Sequence, residues 1–149
     1  MCLGNICRSP LAEGILRHKA MEKGLKIKVD SAATGTYHTG AHPDHRSIKI
    51  AKDYGLDISG QIARQITLAD YDDFDKIYVM DPQVYDQVID LARNESDKAK
   101  VDLVMNEVYP DSNMRVPDPY QGEMDGFQNV YTMLNKACDA IISLIDRKE

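Results

Sequence analysis

The stretch Met1-Cys2-Leu3-Gly4-Asn5-Ile6-Cys7-Arg8-Ser9-Pro10 places a thiol, an arginine and a hydroxyl in one short run before a helix-favouring segment. Five residues separate Cys2 from Arg8. A backbone of that length can curl so that successive N–H groups point inward and form an anion nest at the start of the helix. Arg8 can add two parallel N–H donors for a tetrahedral oxyanion. The run therefore predicts an oxyanion cradle with a nucleophile in its floor.

Each remaining residue type in this run has a role in such a loop. The inward amides and the positive end of the helix favour a thiolate at Cys2, and Ser9 can donate to that sulfur. Gly4 is expected to supply unusual dihedral angles, and Asn5 tolerates a left-handed conformation. Pro10 suits the first helical turn, where its missing N–H costs nothing.

Two plainer interpretations compete with catalysis at Cys2. A cysteine near an N-terminus is usually a small apolar residue, and the spacing of Cys2 and Cys7 is compatible with metal binding. Cys138 is the only other cysteine, and the four histidines show no ligand spacing with it. No metal site is therefore predicted.

Length and composition describe one globular domain over residues 1–149. Hydrophobic residues make up 43% and charged residues 28%, and the net charge of −6 argues against a nucleic-acid-binding protein. Neither a membrane span nor a signal peptide is apparent, so no membrane partner is expected. Three cysteines in such a chain predict free thiols and a cytoplasmic location.

Hydrophobic periodicity alternates between helical and strand-like segments. Helices are predicted at 11–23, 44–54, 82–93 and 126–146, a brief helical turn capped by Thr67, and strands at 25–29, 74–80 and 100–105. In the first helix Leu11 and Ile15 should face the core and Glu13 should face outward. Loops are predicted at 32–43 and 106–124, the second of them long enough to be functional.

This alternation predicts an α/β fold: a three-layer sandwich in which a four-stranded parallel sheet has helices on both faces. Ligands bind such sheets at the carboxyl ends of the strands, where the opening loop should lie. Only Met1 precedes Cys2 in the printed sequence, so the first strand is missing from it. A sheet without that strand is expected to be destabilised.

The opening run, together with Val116-Pro117-Asp118-Pro119-Tyr120, closely resembles the low-molecular-weight protein tyrosine phosphatases. Shorter matching segments extend the resemblance over essentially the whole chain: Asp30-Ser31-Ala32, Gly40 with Asp44 and Arg46, Ala63-Arg64-Gln65-Ile66, and Met80-Asp81. The resemblance implies hydrolysis of phosphotyrosine in proteins through a phosphocysteine intermediate, without a cofactor. Cys2 would be the nucleophile, and Asp118 would be the general acid and then the general base.

The same resemblance assigns the binding residues. Phosphate, or another oxyanion, would be held by Leu3, Gly4, Asn5, Ile6, Cys7, Arg8 and Ser9. Tyr37 and Tyr120 resemble the aromatic walls that enclose a phenyl ring, and Ile6 would crowd its base. Phosphoarginine-selective members carry a threonine where this chain has Ile6, which favours phosphotyrosine.

Several positions depart from the family pattern or suggest regulation. Gln61 stands where some members have a histidine that orients the loop asparagine, and Gln121 replaces the second tyrosine of a pair. Gly35 and Thr36 align the loop before Tyr37 only loosely. Cys7 is a redox candidate, because a disulfide with Cys2 would protect the nucleophile from over-oxidation.

Three alternative functions stay open. A thiol-dependent arsenate reductase has a similar loop but needs a second cysteine pair in mid-chain, where this sequence has none. A phosphoarginine phosphatase would use the same machinery. A non-catalytic phosphopeptide-binding module would be expected to lack the nucleophile or the acid, yet Cys2 and Asp118 are both present.

Overall fold

The computed structural model describes residues 1–148, which form six α-helices and two β-strands. The elements are α1 (Arg8–Glu22), α2 (His45–Asp53), α3 (Ala69–Asp73), β1 (Ile77–Val79), α4 (Pro82–Leu91), α5 (Glu95–Ala99), β2 (Val101–Leu103) and α6 (Met124–Lys148). A single 3₁₀ turn, Val104–Glu107, follows β2. Within residues 1–148 no helix combines the length and the apolar character that crossing a bilayer requires.

The two strands pair in parallel, with Ile77 opposite Val101 and Val79 opposite Leu103. The α/β fold is confirmed, but the predicted four-stranded sheet is not, because the structure has a regular sheet of two strands. Isolated parallel bridges join Cys2 to Ala33 and Ala33 to Gln65. These bridges involve single residues and lie outside the regular two-stranded sheet.

The predicted strand at residues 25–29 is wrong, because this segment has no regular secondary structure. A β-strand is defined by backbone hydrogen bonds to a neighbouring strand. Here the Leu25 N–H instead donates to the Ala20 carbonyl near the end of α1. Arg17 donates to the Val29 carbonyl. A groove of about 570 Å³ separates the segment from the residues around β1. Residues 25–29 therefore have the alternating sequence of a strand but lack the backbone pairing of one.

Helix α1 begins at Arg8, three residues before the predicted start at residue 11, so the Arg8 backbone belongs to the helix itself. Gly24 follows the helix with a φ of 67°, a left-handed conformation in which glycine commonly ends helices. Asp44 caps α2 by accepting a hydrogen bond from the Arg46 N–H, as the sequence indicated. The predicted Thr67 cap is wrong, because Leu68 is the N-cap residue of α3 and no side chain of residues 1–148 caps this helix.

Apolar side chains cover both faces of the short sheet. In β1, Ile77 and Val79 pack in a cluster with α4, whereas Tyr78 packs against the larger cluster formed by α1, α2 and α6. Five apolar side chains of α6 recur at the spacing of one helix face and are buried: Phe127, Val130, Leu134, Ala137 and Ile141. Helices therefore enclose the sheet from two sides and leave its carboxyl end open to the loop at residues 2–9.

Candidate active site

Residues 2–9, called the anion loop from here on, curl tightly between the Cys2 bridge and the first turn of α1. Asn5 adopts a φ of 58°, which confirms the left-handed conformation expected of an asparagine there. Gly4 is not among the residues with positive φ, so the dihedral role predicted for it is wrong. It is small for another reason: a Cβ atom at Gly4 would lie 2.9 Å from Cδ2 of His38.

The Cys2 thiol lies in the floor of the anion loop and is only 3% exposed. The Asn5 N–H donates to its Sγ atom at 3.2 Å, and the Ser9 hydroxyl lies 3.0 Å from the same atom. Helix α1 begins next to this sulfur without a side-chain cap on its first turn. The Cys2 sulfur therefore lies within hydrogen-bond distance of two groups of the anion loop, beside the N-terminus of α1.

A buried chain of hydrogen bonds holds Asn5 in its strained conformation. The Asn5 amide nitrogen donates to Ser9 Oγ at 2.7 Å and to Ser31 Oγ at 2.9 Å. Its amide oxygen accepts from the Arg64 N–H at 3.2 Å. Ser31 in turn donates to Glu13 at 2.7 Å. Because all these partners are fixed, they offset the cost of the left-handed backbone at Asn5.

Glu13 and Gln61 behave differently from the sequence-based expectations. Glu13 was expected to face solvent, but it is only 7% exposed, since Ser31 and Arg17 both bind its carboxylate. Gln61 does not contact Asn5. Its amide nitrogen donates to the Pro10 carbonyl at 3.1 Å, and its amide oxygen is buried and has no hydrogen-bond partner among residues 1–148. Asn5 is therefore supported by Ser31 and Arg64 in place of a histidine.

Arg8 is 3% exposed, and its guanidinium is anchored at one corner. Nη1 donates to Asp81 Oδ2 at 2.6 Å and to the Val116 carbonyl at 2.8 Å. Within residues 1–148 no hydrogen bond to protein starts from its Nε or Nη2. Nε and Nη2 are therefore available to donate two parallel hydrogen bonds to two oxygens of a bound oxyanion.

Asp118 lies beside Arg8 although more than a hundred residues separate them in sequence. Its Oδ2 atom is 3.8 Å from Arg8 Nη2, while the carboxyl group as a whole is half exposed. The Tyr120 N–H donates to Asp118 Oδ1 at 3.0 Å. Val116 is fully buried and donates its N–H to the Met80 carbonyl, which fixes the start of this segment. Residues 116–122 are called the acid loop below.

The aromatic residues at the mouth of the site are exposed. Tyr37 is 77% exposed, and its ring lies close to Gly35, where a Cβ atom would be 2.9 Å from it. Tyr120 is 42% exposed and is in ring contact with His38, at a centroid distance of 5.7 Å. The half-buried His38 thus lies between the anion loop and Tyr120. Sequence analysis had not identified this histidine.

Cys7 belongs to the anion loop but packs in the apolar core. It is a free thiol, as are Cys2 and Cys138. Burial raises the pKa of Cys7 to about 12, with Asp44 and Asp118 adding to the effect. Near neutral pH this thiol is therefore protonated.

Two further residues of the site were missed as functional residues. Asp81 anchors Arg8, and Arg46 binds the acid loop. Asp81 follows β1 and begins α4, and a helix-capping aspartate next to the carboxyl end of a strand was the signal available in the sequence. For Arg46 the only signal was its place among the segments that match the family. Its contacts with the acid loop involve residues far along the chain, so the local sequence could not reveal them.

A family model described as low molecular weight phosphotyrosine protein phosphatase matches residues 1–149. The Bacillus subtilis protein named low molecular weight protein-tyrosine-phosphatase YfkJ is 37% identical over 154 residues, which cover 100% of this chain and 95% of that protein. The match thus extends over the anion loop, the acid loop and all the elements between them.

Solved structures agree with the sequence match. A protein tyrosine phosphatase from Entamoeba histolytica, with Hepes in its active site, superposes with a TM-score of 0.91 at 34% identity, covering 99% of this chain and 94% of that one. A Drosophila arginine phosphatase superposes with a TM-score of 0.85 at 29% identity, covering 97% and 94%. The fold described above is therefore shared by phosphatases of two named specificities.

Proposed function

The chain belongs to the low molecular weight phosphotyrosine protein phosphatase family, and we propose that Cys2, Arg8 and Asp118 together perform its hydrolysis of phosphotyrosine in protein substrates. The single observation that carries this assignment is the convergence of three groups on one loop. Cys2 lies in the floor of the anion loop, Arg8 of the same loop is anchored through Nη1 alone, and Asp118 lies 3.8 Å from Arg8 Nη2.

The reaction proceeds in two displacement steps. Cys2 Sγ attacks phosphorus, the S–P bond forms, and the bond from phosphorus to the tyrosine oxygen breaks while Asp118 delivers a proton to that oxygen. A water molecule then attacks the phosphocysteine, Asp118 takes its proton, and Cys2 leaves as a thiolate. The Ser9 hydroxyl and the Asn5 N–H stabilise this sulfur both as attacker and as leaving group.

Charge on the transferring phosphoryl group is balanced by the loop itself. The amides of residues 3–9 and the start of α1 surround the equatorial oxygens, and Nε and Nη2 of Arg8 bind two of them. Asp81 and the Val116 carbonyl hold Nη1, so the guanidinium does not reorient during the reaction. This preorganisation supplies the electrostatic stabilisation without a cofactor.

The aromatic residues at the mouth of the site favour a flat phenyl substrate. Tyr37 and Tyr120 form the walls of the substrate pocket, and His38 packs against Tyr120. The buried Ile6 limits the depth of the pocket beside the anion loop. A phosphoarginine phosphatase is the second candidate, because the Drosophila arginine phosphatase shares the fold. The branched apolar Ile6 favours phosphotyrosine over this alternative.

Direct turnover measurements test the assignment. The protein should hydrolyse p-nitrophenyl phosphate and a phosphotyrosine peptide, with a lower kcat/KM for a matched phosphoarginine peptide. Cys2→Ser should abolish turnover while the fold is retained. Asp118→Asn should lower kcat by roughly 10²- to 10⁴-fold with nearly unchanged inhibition by inorganic phosphate. A folded wild-type protein without turnover would overturn the proposal, and a preference for phosphoarginine would replace it with the second candidate.

We further propose that a parallel sheet of four strands supports the anion loop. Cys2 donates its N–H to Ala32 and accepts from Thr34 on one side, while Met1 accepts from the Met80 N–H on the other. The groove of about 570 Å³ continues this line between residues 26–32 and residues 75–78.

The cytoplasm is the compartment that suits this chemistry. Cys2 acts only as a reduced thiol, and Cys7 and Cys138 are free as well. Reducing conditions keep such thiols from pairing. Cys7 is proposed to serve as a redox partner of Cys2 when the nucleophile is oxidised.

A further inference from the structure

Arg46 lies at the start of α2, which a backbone hydrogen bond holds to the anion loop. It is the second residue of α2, and the preceding Asp44 donates its backbone N–H to the Ile6 carbonyl at 2.8 Å. The Arg46 guanidinium binds the Asp44 carboxylate through Nε at 3.0 Å and Nη2 at 2.9 Å. The bidentate geometry fixes both the place and the orientation of the guanidinium.

From this position Arg46 reaches the acid loop with its remaining donors. Nη2 donates to the Tyr120 carbonyl at 2.8 Å, and Nη1 donates to the Gly122 carbonyl at 2.7 Å. Its Cζ atom lies 4.5 Å from the centroid of the buried Phe127 ring at the start of α6. Within residues 1–148 no other side chain donates to the backbone of residues 118–122.

Tyr120 connects this clamp to the catalytic carboxylate. Its carbonyl accepts from Arg46, and its N–H donates to Asp118 Oδ1 at 3.0 Å. Asp118 itself is half exposed and has only a 3.8 Å approach to Arg8 as a charged contact. Among the side chains of residues 1–148, Arg46 is therefore the one that holds the backbone carrying Asp118 on the side away from Arg8.

We propose that Arg46 is a positioning residue that fixes Asp118 over the anion loop, so that the proton of Asp118 is delivered in line with the nucleophile. The inference rests on the proposed function. It assigns to α2 a mechanical role, in which Asp44 ties the helix to the loop of the nucleophile and Arg46 ties it to the loop of the acid. A displacement of the acid of about 1 Å is sufficient to reduce the rate markedly.

The charge state of the clamp is suited to this role. The hydrogen bonds from Arg46 lower the pKa of Asp44 below its ordinary value. The ion pair between Asp44 and Arg46 therefore remains intact at mildly acidic pH. Lysine cannot replace the arginine, because its single ammonium group cannot bind a carboxylate in bidentate fashion and two carbonyls together.

Leaving-group dependence distinguishes positioning from a general structural effect. For Arg46→Met, kcat/KM for phenyl phosphate, which reports the step in which the phenolate leaves, should fall about 10- to 100-fold, a part of the roughly 10²- to 10⁴-fold contribution of a positioned acid. The loss on p-nitrophenyl phosphate should be clearly smaller, because that phenolate leaves without much protonation. The inhibition constant of inorganic phosphate should remain within about 2-fold, since the anion loop is intact.

Arg93→Met is the matched control. Arg93 also binds a carboxylate through two nitrogens, at Asp97, and lies over an aromatic ring, that of Tyr71. None of these partners belongs to the anion loop or the acid loop. This variant should lose stability without any change in the ratio of the phenyl phosphate and p-nitrophenyl phosphate rates.

A double-mutant cycle completes the test. In an Asp118→Ala background, Arg46→Met should cause little further loss, because there is no acid left to position. Equal losses on both substrates, or full additivity with Asp118→Ala, would overturn the inference. Should Arg46→Met fail to fold, Arg46→Lys decides the question with the same two substrates. An inactive wild-type protein would instead refute the proposed function, so the two failures are distinct.

Discussion

Cys7 combines a place next to the nucleophile with a thiol that resists ionisation. Burial raises its pKa to about 12, so peroxide should react first with Cys2 and convert it to a sulfenic acid. Attack by the Cys7 sulfur would then form the Cys2–Cys7 disulfide and release water. Because this attack requires the Cys7 thiolate, the rate of disulfide formation should rise with pH. Mass spectrometry at a series of pH values after peroxide treatment measures that rate.

The Cys7→Ala and Cys138→Ala variants provide the controls for this prediction. Without Cys7, oxidised enzyme should proceed to irreversible forms, and added thiol should restore much less activity than in the wild type. Cys138 is buried on α6, so its replacement should leave the recovery unchanged. Recovery that is the same in all three proteins, with no Cys2–Cys7 peptide detected, would contradict the protective role.

Residues whose partners are close in sequence were predictable, and those whose partners are distant were not. Cys2 and Ser9 belong to the same short loop, so the residue types and their spacing predicted the contact between the Ser9 hydroxyl and the Cys2 sulfur. Glu13 was assigned to the outside of α1, because helical periodicity cannot anticipate the Ser31 hydroxyl that binds it. The size limit at Gly4 likewise comes from His38, which belongs to another loop.

At the scale of elements, Asp81 links the end of β1, the start of α4 and the guanidinium of Arg8. Its Oδ1 atom accepts from the Val84 N–H and caps the helix, while Oδ2 accepts from Arg8. Asn is about as good a cap as Asp. Asp81→Asn should therefore keep α4 but replace a charge-assisted hydrogen bond with a neutral one. Inhibition by inorganic phosphate and kcat/KM should both weaken by about 10-fold.

Comparison with Asp81→Ala separates the two functions of this carboxylate. The alanine variant loses the cap as well, so its free energy of unfolding should lie about 1 kcal/mol below that of the asparagine variant. Urea unfolding of the two variants measures this difference. Wild-type phosphate inhibition in both variants would show that Arg8 is held by the Val116 carbonyl alone.

A helix such as α6, which is defined by the periodicity of its own segment, was predicted correctly. The strand predicted at residues 25–29, which would depend on pairing with a neighbour, was not. The core spacing of α6 predicted its buried face. The alternating segment at residues 25–29 has the composition of a strand, but strand structure requires a paired neighbour, and the groove lies along that side. The short helix α5 was missed because its five residues carry no repeating apolar pattern.

Across the whole molecule, arginine–carboxylate clamps join elements that are distant in sequence. Arg46 connects α2 to the acid loop, Arg64 joins Asp30 to Asp70 on α3, and Arg93 joins Asp72 on α3 to Asp97 on α5. In each clamp the hydrogen bonds of the arginine lower the pKa of the aspartate. The catalytic loops and the supporting helices thus depend on the same kind of charged contact.

These clamps predict how stability depends on pH. A carboxyl group whose pKa is lower in the folded state than in the unfolded state stabilises the protein above its unfolded pKa, and the stabilisation is lost as the pH falls through its folded pKa. Asp44, Asp70, Asp72 and Asp97 all have lowered pKa values. The free energy of unfolding should therefore be nearly constant between neutral pH and about pH 5, and should decrease steeply below about pH 4.

Arg93→Met tests whether the clamps cause this loss in acid. Without its guanidinium, Asp72 and Asp97 should return towards their ordinary pKa values, because its hydrogen bonds are the largest cause of both shifts. The variant should be less stable than the wild type at neutral pH, and the difference should shrink as the pH falls below about 4. Urea unfolding at several pH values measures both curves. Parallel curves for the two proteins would mean that the acid sensitivity arises elsewhere in the fold.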